Sequence, residues 1–296
     1  MNKTCIIIAG PTAIGKTAIA TALAKHFSTE IISADSRQCF KELNIAVAKP
    51  APADLQQVHH YFIDSHSIND DISAADFEKI ALAAVDKIFL KNDTAIMVGG
   101  TGLYIKVFCE GMDEIPAIDP GIRSLVISDY NNNGIGWLRS EIEKKDPDYF
   151  TTGEMENPQR MMRALEVKLS TGRSIRSFQS KEKKQRDFNI ITIGLELPRE
   201  ILYERINARV DTMMEMGLLK EAKALLPYKH LNALQTVGYR ELFDHFDGKI
   251  TVERAIELIK QNTRHFAKRQ LTWFKRDGSI TWLAPDIQIV LNHVLI

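Results

Sequence analysis

Apolar residues gather in short unbroken runs along this chain, and each run stops at a glycine, an aspartate or a proline. Thr4-Cys5-Ile6-Ile7-Ile8-Ala9 is the first, Glu30-Ile31-Ile32-Ser33-Ala34 the second and Thr94-Ala95-Ile96-Met97-Val98 the third. Runs of this length predict strands buried on both faces. Between them the period becomes helical. Thr17 to Lys25 is rich in good helix formers, and Ala74 to Phe89 sets Phe77, Ile80, Ala81, Ala84, Val85 and Ile88 on one face. Strand and helix in alternation predict a parallel sheet with helices on both sides. Near Pro116 the character changes. From there to about Arg186 the segments are helical and no strand is expected. A strand pattern returns at Asn189 to Leu197, closed by Pro198, and after Arg199 everything is helical except a short strand at Ile280 to Leu283. The expected architecture is an α/β core made of 1–115 and 187–296, interrupted by an all-helical insertion at 116–186.

Chemistry is expected at the carboxyl ends of the strands, where open parallel sheets bind ligands. Gly10, Pro11, Thr12, Ala13, Ile14, Gly15, Lys16 and Thr17 follow the first strand and fit G-x-x-x-x-G-K-[ST]. Such a loop turns backbone N–H groups inward, adds the partial positive charge of a helix N-terminus, and brings one full charge on Lys16. It holds two or more linked phosphates, and by itself does not separate a nucleotide from another diphosphate. It makes the core P-loop NTPase-like. Asp35 ends the second strand. Its carboxylate can serve as a general base or orient a metal-bound water, or it can simply cap a turn. Gly99-Gly100-Thr101-Gly102 ends the third strand, with glycines that permit close approach of a ligand or only a tight turn. A nucleoside-triphosphate hydrolase usually carries a magnesium-binding aspartate at that place. Glycines there weaken an ATPase reading. Arg205 and Arg209 share one helical face, suited to clamping phosphate or to pairing with Glu204 and Asp211 at a solvated surface.

The formal net charge is +0, so any polyanion must be met by a local patch. Two stretches supply one. Residues 160–186 hold nine Lys or Arg against Glu166 and Glu182; residues 260–276 hold six, with His265 and no acid. Arg264 with Lys268 and His265 with Arg269 are one helical turn apart, with Phe266, Trp273 and Phe274 interleaved. Basic faces with aromatics suit RNA phosphates and unstacked bases, although a charge run is usually a solvated face. Three scattered cysteines argue against disulfides and zinc, and His59-His60 lacks a second ligand pair. The chain has no signal-peptide pattern and no membrane-length apolar stretch, so a cytoplasmic location is expected.

Taken together and in order, the motifs resemble one family, the tRNA dimethylallyltransferases, along almost the whole chain. They are Gly10 to Thr17; Asp35-Ser36-Arg37-Gln38 with Ala48-Lys49-Pro50; His59-His60; Ser73 to Phe77; Gly99 to Tyr104; Asp119-Pro120 with Arg123; Pro158-Gln159-Arg160-Met161-Met162-Arg163 to Val167; Gly217-Leu218; Val237 to Glu241; and Thr263-Arg264 through Gln270 to Trp273. The resemblance implies transfer of a dimethylallyl group from dimethylallyl diphosphate to N6 of adenosine 37, in tRNAs reading codons that begin with U. It implies that the loop takes a diphosphate rather than ATP, that Mg2+ is the cofactor with Thr17 as its ligand, and that Lys16, Thr17, Thr101 and Arg209 assist Asp35 as the base. Asp35, Ser36, Arg37, Gln38, Thr101, Arg123, Gln159, Arg160, Met161, Met162 and Arg163 would contact the tRNA anticodon stem-loop, making the insertion an RNA clamp. The target base would be flipped out of its stack. No long heptad pattern suggests a dimer, so a monomer is expected.

The chain departs from the family at two places. Ile45-Ala46-Val47-Ala48-Lys49-Pro50 lacks a usual glycine and threonine, which puts any contact there in doubt, and Asn157 replaces a frequent aspartate. Three other readings compete: an isopentenyltransferase acting on free AMP, ADP or ATP; a small-molecule P-loop kinase; and a catalytically silent RNA-binding protein. The basic insertion argues against the first two, and Lys16-Thr17 with Asp35 against the third.

Overall fold

The apolar runs do form the centre of a sheet, because strands flanked by helices on both faces must be apolar on both faces. The computed structural model describes residues 3–180 and 182–295. In chain order its elements are β1 (Thr4–Ala9), α1 (Lys16–His26), β2 (Ile31–Ala34), α2 (Pro52–Gln57), β3 (His60–Tyr61), α3 (Ala74–Phe89), β4 (Thr94–Gly99), α4 (Gly102–Glu110), α5 (Pro120–Lys145), α6 (Pro147–Thr152), α7 (Pro158–Thr171), β5 (Asn189–Leu195), α8 (Arg199–Glu215), α9 (Leu218–Leu225), α10 (Tyr239–Phe246), α11 (Val252–Phe274), β6 (Thr281–Leu283) and α12 (Ile287–Val294). The chain separates into two compact units, 1–110 with 185–296, and 111–184.

In the first unit six strands form one sheet in the order β3-β2-β4-β1-β5-β6, every pair parallel. Residues Cys5 to Ala9 of β1 are wholly enclosed, and a core of Ile6, Ile8, Leu23, Ile96, Ile193, Leu202, Ile206 and Ala267 joins the sheet to α1, α8 and α11. The register places Ala34 beside Gly99 and Ala9 beside Gly99 on the other side. The chain therefore leaves β2, β4 and β1 at one edge, as three neighbouring loops. Asp35, the Gly100-Thr101 turn and the phosphate loop follow those strands in that spatial order. Neighbouring strands lie about 4.8 Å apart, so β2 and β1 end roughly 10 Å from one another.

Some elements differ from expectation. β5 stops at Leu195, two residues early, where the chain turns toward Pro198. α2 and the two-residue β3 were not anticipated, since segments this short carry no readable period. His60 is a buried strand residue whose Nδ1 meets the Val58 carbonyl at 2.8 Å, and His59 is exposed. Neither belongs to a metal cluster: among the described residues no group of three His, Cys, Asp or Glu side chains is placed to hold a metal. The Ser73 to Phe77 motif is a helix start. Ser73 Oγ accepts the Asp76 N–H and Asp76 Oδ2 accepts the Ser73 N–H, a capping box for α3. Among the described residues no helix is long and apolar enough to cross a membrane.

The second unit is helical among its described residues. α5 is kinked at Gly134, whose φ of 72° breaks the helix, and packs on α7. The core here is Val126, Leu138, Ile142, Tyr149, Met161, Met162, Ala164, Leu165 and Val167. Met161 and Met162 were expected at the RNA surface. They are buried instead, on the face of α7 opposite Gln159 and Arg160, which are exposed. Lys181, one of the nine basic residues of the first run, lies outside the described residues.

Candidate active site

The phosphate loop runs from β1 into α1, and its shape is set by backbone torsions. Gly15 has φ 103° and caps α1 without any side-chain hydrogen bond, so the first N–H groups of the helix are left to an outside acceptor. Ala13 has φ 64°, a left-handed conformation that costs an alanine about 1 kcal/mol. Ile14 anchors the loop by burying its side chain in the core. Lys16 lies along the loop, its Nζ donating to the Pro11 carbonyl at 2.7 Å.

Three charges meet at this edge. Burial pushes the Lys16 ammonium down from 10.5 to about 8; the Asp35 carboxylate works against that shift, and the Arg209 guanidinium adds to it. Arg209 is likewise lowered by burial and raised by Asp35. Lys16 at the start of α1, Asp35 after β2 and Arg209 on α8 thus lie within each other's field. Arg205, one turn from Arg209, reaches the Ile14 carbonyl at 3.4 Å, a weak contact. The shared face of these arginines is turned toward the loop, and Asp211 pairs with Lys260 at 2.5 Å.

Asp35 has both of the roles weighed for it within reach. Its Oδ1 accepts the N–H of Arg37 at 2.9 Å and, more weakly, that of Gln38 at 3.4 Å, so it caps the turn after β2. That cap fixes the carboxyl plane and leaves Oδ2 for other chemistry. Thr101 Oγ1 accepts the Ser36 N–H at 3.0 Å, tying the β4 turn to the β2 turn. Gln38 is committed inward: its Nε2 donates to Val47 and Ala48 carbonyls at 3.2 and 3.1 Å. The loop around Ala46 is held from the other side by Glu221, whose carboxylate accepts the Ile45 N–H at 2.8 Å and the Ala46 N–H at 3.2 Å. Ala46 keeps an ordinary backbone, so the glycine usual in the family is not needed for that shape.

The glycine turn after β4 has a protein reason. A Cβ at Gly100 would fall 2.2 Å from Gln270 Nε2, and one at Gly102 would fall 2.2 Å from the Trp273 indole. Both side chains come from α11. The glycines admit the close approach of that helix.

α11 also divides the second basic run. Lys260 pairs with Asp211, Arg264 donates to Asn207 at 2.7 Å, and Lys275 pairs with Glu196 at 3.0 Å. Lys260 and Arg264 are thus tied to α8, while Lys275 sits in an exposed ion pair. His265, Lys268, Arg269 and Arg276 instead line a groove of about 440 Å³ with Thr272 and Trp273. In the first run Arg186 is structural as well, donating to Glu78 at 2.7 Å and to the Val107 and Phe108 carbonyls.

In the helical unit the RNA candidates group around α7. Asn157 caps it, its side chain accepting the Gln159 and Arg160 N–H groups at 3.1 and 3.3 Å. Asn and Asp cap equally well, which accounts for the substitution. Glu166 is buried and its pKa is raised by that burial, while Arg123 and Arg163 pull it back. Two arginines 40 positions apart in sequence thus flank one carboxylate. Arg160 pairs with Glu154 at the exposed start of the helix.

The family model described as IPP transferase matches residues 38–277. The tRNA dimethylallyltransferase of Christiangramia forsetii is 50% identical over 286 residues, covering 97% of this chain and 95% of the relative. That of Flavobacterium johnsoniae is 50% identical over 301 residues, covering 99% and 97%. Among solved structures, the tRNA isopentenylpyrophosphate transferase of Bacillus halodurans superposes with a TM-score of 0.72 at 34% identity, covering 99% of this chain and 96% of that one. A eukaryotic dimethylallyltransferase acting on tRNA superposes with a TM-score of 0.80 at 26% identity, covering 96% and 74%.

Proposed function

The chain belongs to the IPP transferase family, and from that premise we propose that its sheet edge joins dimethylallyl diphosphate to N6 of adenosine 37, in tRNAs reading codons that begin with U. It is a prenyltransferase acting on tRNA. The observation that carries the detailed reading is the register that ends β1, β4 and β2 side by side, so that the phosphate loop with Lys16 and the turn with Asp35 leave one sheet edge. A diphosphate held by the first lies close to a purine amine at the second.

An exocyclic adenine amine is a poor nucleophile because its lone pair is delocalised into the ring. Alignment and proton removal therefore have to supply the rate. The N6 nitrogen attacks the allylic carbon, the carbon–oxygen bond to the diphosphate breaks, and pyrophosphate leaves. Asp35 Oδ2 takes the proton from N6 while Oδ1 stays fixed by the turn. Lys16, the unfilled N–H groups of α1, and Arg209 stabilise the charge that grows on the leaving oxygens. Thr101 holds Ser36 and so the shape of the Asp35 turn. Magnesium fits only as the companion of the diphosphate: Thr17 offers one hydroxyl, and with no protein metal cluster among the described residues the other ligands would be phosphate oxygens and water. When bound, it neutralises charge on the departing group. We place the reaction in the cytoplasm and in a single copy of the chain.

RNA is held by basic surface. In the helical unit this is Gln159 and Arg160, with Arg123 and Arg163 around Glu166; on α11 it is the groove with Lys268, Arg269 and Trp273. Arg160→Ala is expected to weaken tRNA binding and to lower the slope of log affinity against log salt by about 0.7 to 0.9. Filter binding across a salt series reads this out, and an unchanged slope would leave Arg160 an ordinary helix charge. Arg163→Ala is a poorer test, because it also strips a counter-charge from buried Glu166.

One assay separates the prenyl-transfer reading from its rivals. Labelled dimethylallyl diphosphate, magnesium and unmodified tRNA are incubated with the protein, and AMP or ATP then replaces the tRNA. Label is expected on tRNA alone. Label on AMP, or phosphate release from ATP without prenyl transfer, would overturn the reading.

A further inference from the structure

Gln270 touches none of the reacting groups named above, yet it joins the two loops that would hold them. Its Oε1 accepts the Thr12 N–H at 2.9 Å, and its Nε2 donates to the Gly100 carbonyl at 2.9 Å. It is 7% exposed, so water does not compete for either bond. One partner is an N–H and the other a carbonyl, which fixes the orientation of the amide. An uncharged carboxamide of this length makes both bonds at once. A carboxylate cannot donate to Gly100, and an ammonium cannot accept from Thr12.

Both flanks show that the bridge is built in. A Cβ at Gly100 would displace Gln270 Nε2 from its place, and Trp273 one turn further along α11 fills the corresponding space at Gly102. On the other side Thr12 adjoins Ala13, which holds a costly left-handed conformation and needs an outside tether to keep it. The Thr12 N–H is spent on Gln270 rather than on phosphate.

We infer that Gln270 is a positioning residue, which sets the spacing between the phosphate loop and the Thr101 turn and so aligns the allylic carbon with the adenine amine. The inference rests on the prenyl-transfer reading. In-line displacement tolerates little error, and a misplacement of about 1 Å costs about a hundredfold in rate. Loss of the bridge should therefore act on turnover and spare RNA binding.

The test uses the full chain with three variants. Gln270→Met keeps length and volume but makes neither bond. Gln270→Glu keeps an acceptor for Thr12 and, once ionised at high pH, sets a negative oxygen against the Gly100 carbonyl, so its rate should fall further as pH rises. Gly100→Ala pushes its new Cβ into the amide. Single-turnover transfer of labelled dimethylallyl to tRNA is measured at saturating substrates, together with KM for tRNA and the affinity for pyrophosphate. Each variant should lose about a hundredfold in single-turnover rate while KM for tRNA stays within about threefold. In a Gln270→Ala background, Gly100→Ala should cost nothing further, because the space it needs is then empty. A wild-type rate in Gln270→Met, or a rise in tRNA KM that matches the loss of rate, would overturn the bridge. If Gln270→Met fails to fold, Gln270→Glu and Gly100→Ala decide the question by the same readings. A wild-type protein that labels no tRNA in this assay would instead sink the prenyl-transfer reading, and the pyrophosphate affinities of wild type and variants would still report whether Gln270 shapes the loop.

Discussion

Asp35→Asn is expected to lower the single-turnover rate by about a hundredfold or more while tRNA binds within about threefold of wild type. Asparagine is the sharper substitution. Its Oδ1 can still accept the Arg37 N–H, so the turn after β2 keeps its cap, and only the base is lost. Asp35→Ala removes the base and the cap together, and the missing cap alone costs about 1 kcal/mol of stability. Comparing the two separates the roles. If both variants lose turnover and only alanine lowers the melting temperature, Asp35 is the base and its cap is a support. If asparagine transfers at the wild-type rate, Asp35 is a turn residue and the proposed mechanism fails.

Lys16→Met should reduce kcat/KM for dimethylallyl diphosphate by about 10² to 10³, with tRNA affinity in the absence of diphosphate unchanged. The pH dependence gives a second view of the same group. Its ammonium is held at about 8 in the free protein, against 10.5 ordinarily. Between those values the folded chain binds fewer protons at Lys16 than the unfolded chain does. From this group the free protein therefore gains stability as pH rises from about 8 to 10.5. Diphosphate binding runs the opposite way, since the charged ammonium is the binding form. The dissociation constant for pyrophosphate should rise above pH 8 by up to about tenfold per unit, as measured by calorimetry. Lys16→Arg, which stays charged, should flatten that rise. A flat profile in the wild type would show that Lys16 does not face the diphosphate.

The site was only partly legible in the chain. Gly10 to Thr17 could be read because the loop is contiguous and its chemistry lies in its spacing. Asp35 was visible as a carboxylate at a strand end, but its position gave base and turn cap equal standing. The structure shows the cap, with a second oxygen left over. Arg209 was ambiguous for a different reason. Helical period shows which residues share a face, and says nothing about what that face meets; in the fold Arg205 on that face reaches the Ile14 carbonyl, and half-buried Arg209 feels the Asp35 carboxylate. Met161 and Met162 went wrong in the same way. They sit inside a polar motif, and only the packing of α5 against α7 turns them into core. Gln270 lay inside the Thr263 to Trp273 motif, but nothing in the sequence gave it a role. A glutamine in a basic helix reads as one more polar position, and its importance appears only when Gly100, 170 residues earlier, is found against it.

What the amino-acid order settled by itself was local: unbroken apolar runs that must be covered on both faces, a phosphate loop whose glycine, lysine and threonine act within eight positions, and the change of period that marks the insertion. These rest on interactions between near neighbours, which the chain cannot rearrange. Tertiary structure decided which helical faces are buried, which members of each basic run are spent on internal partners, and which side chains span the strand ends. Those outcomes depend on how separate elements stack, and stacking is governed by shape and burial over the whole core, where no single stretch of sequence holds the information.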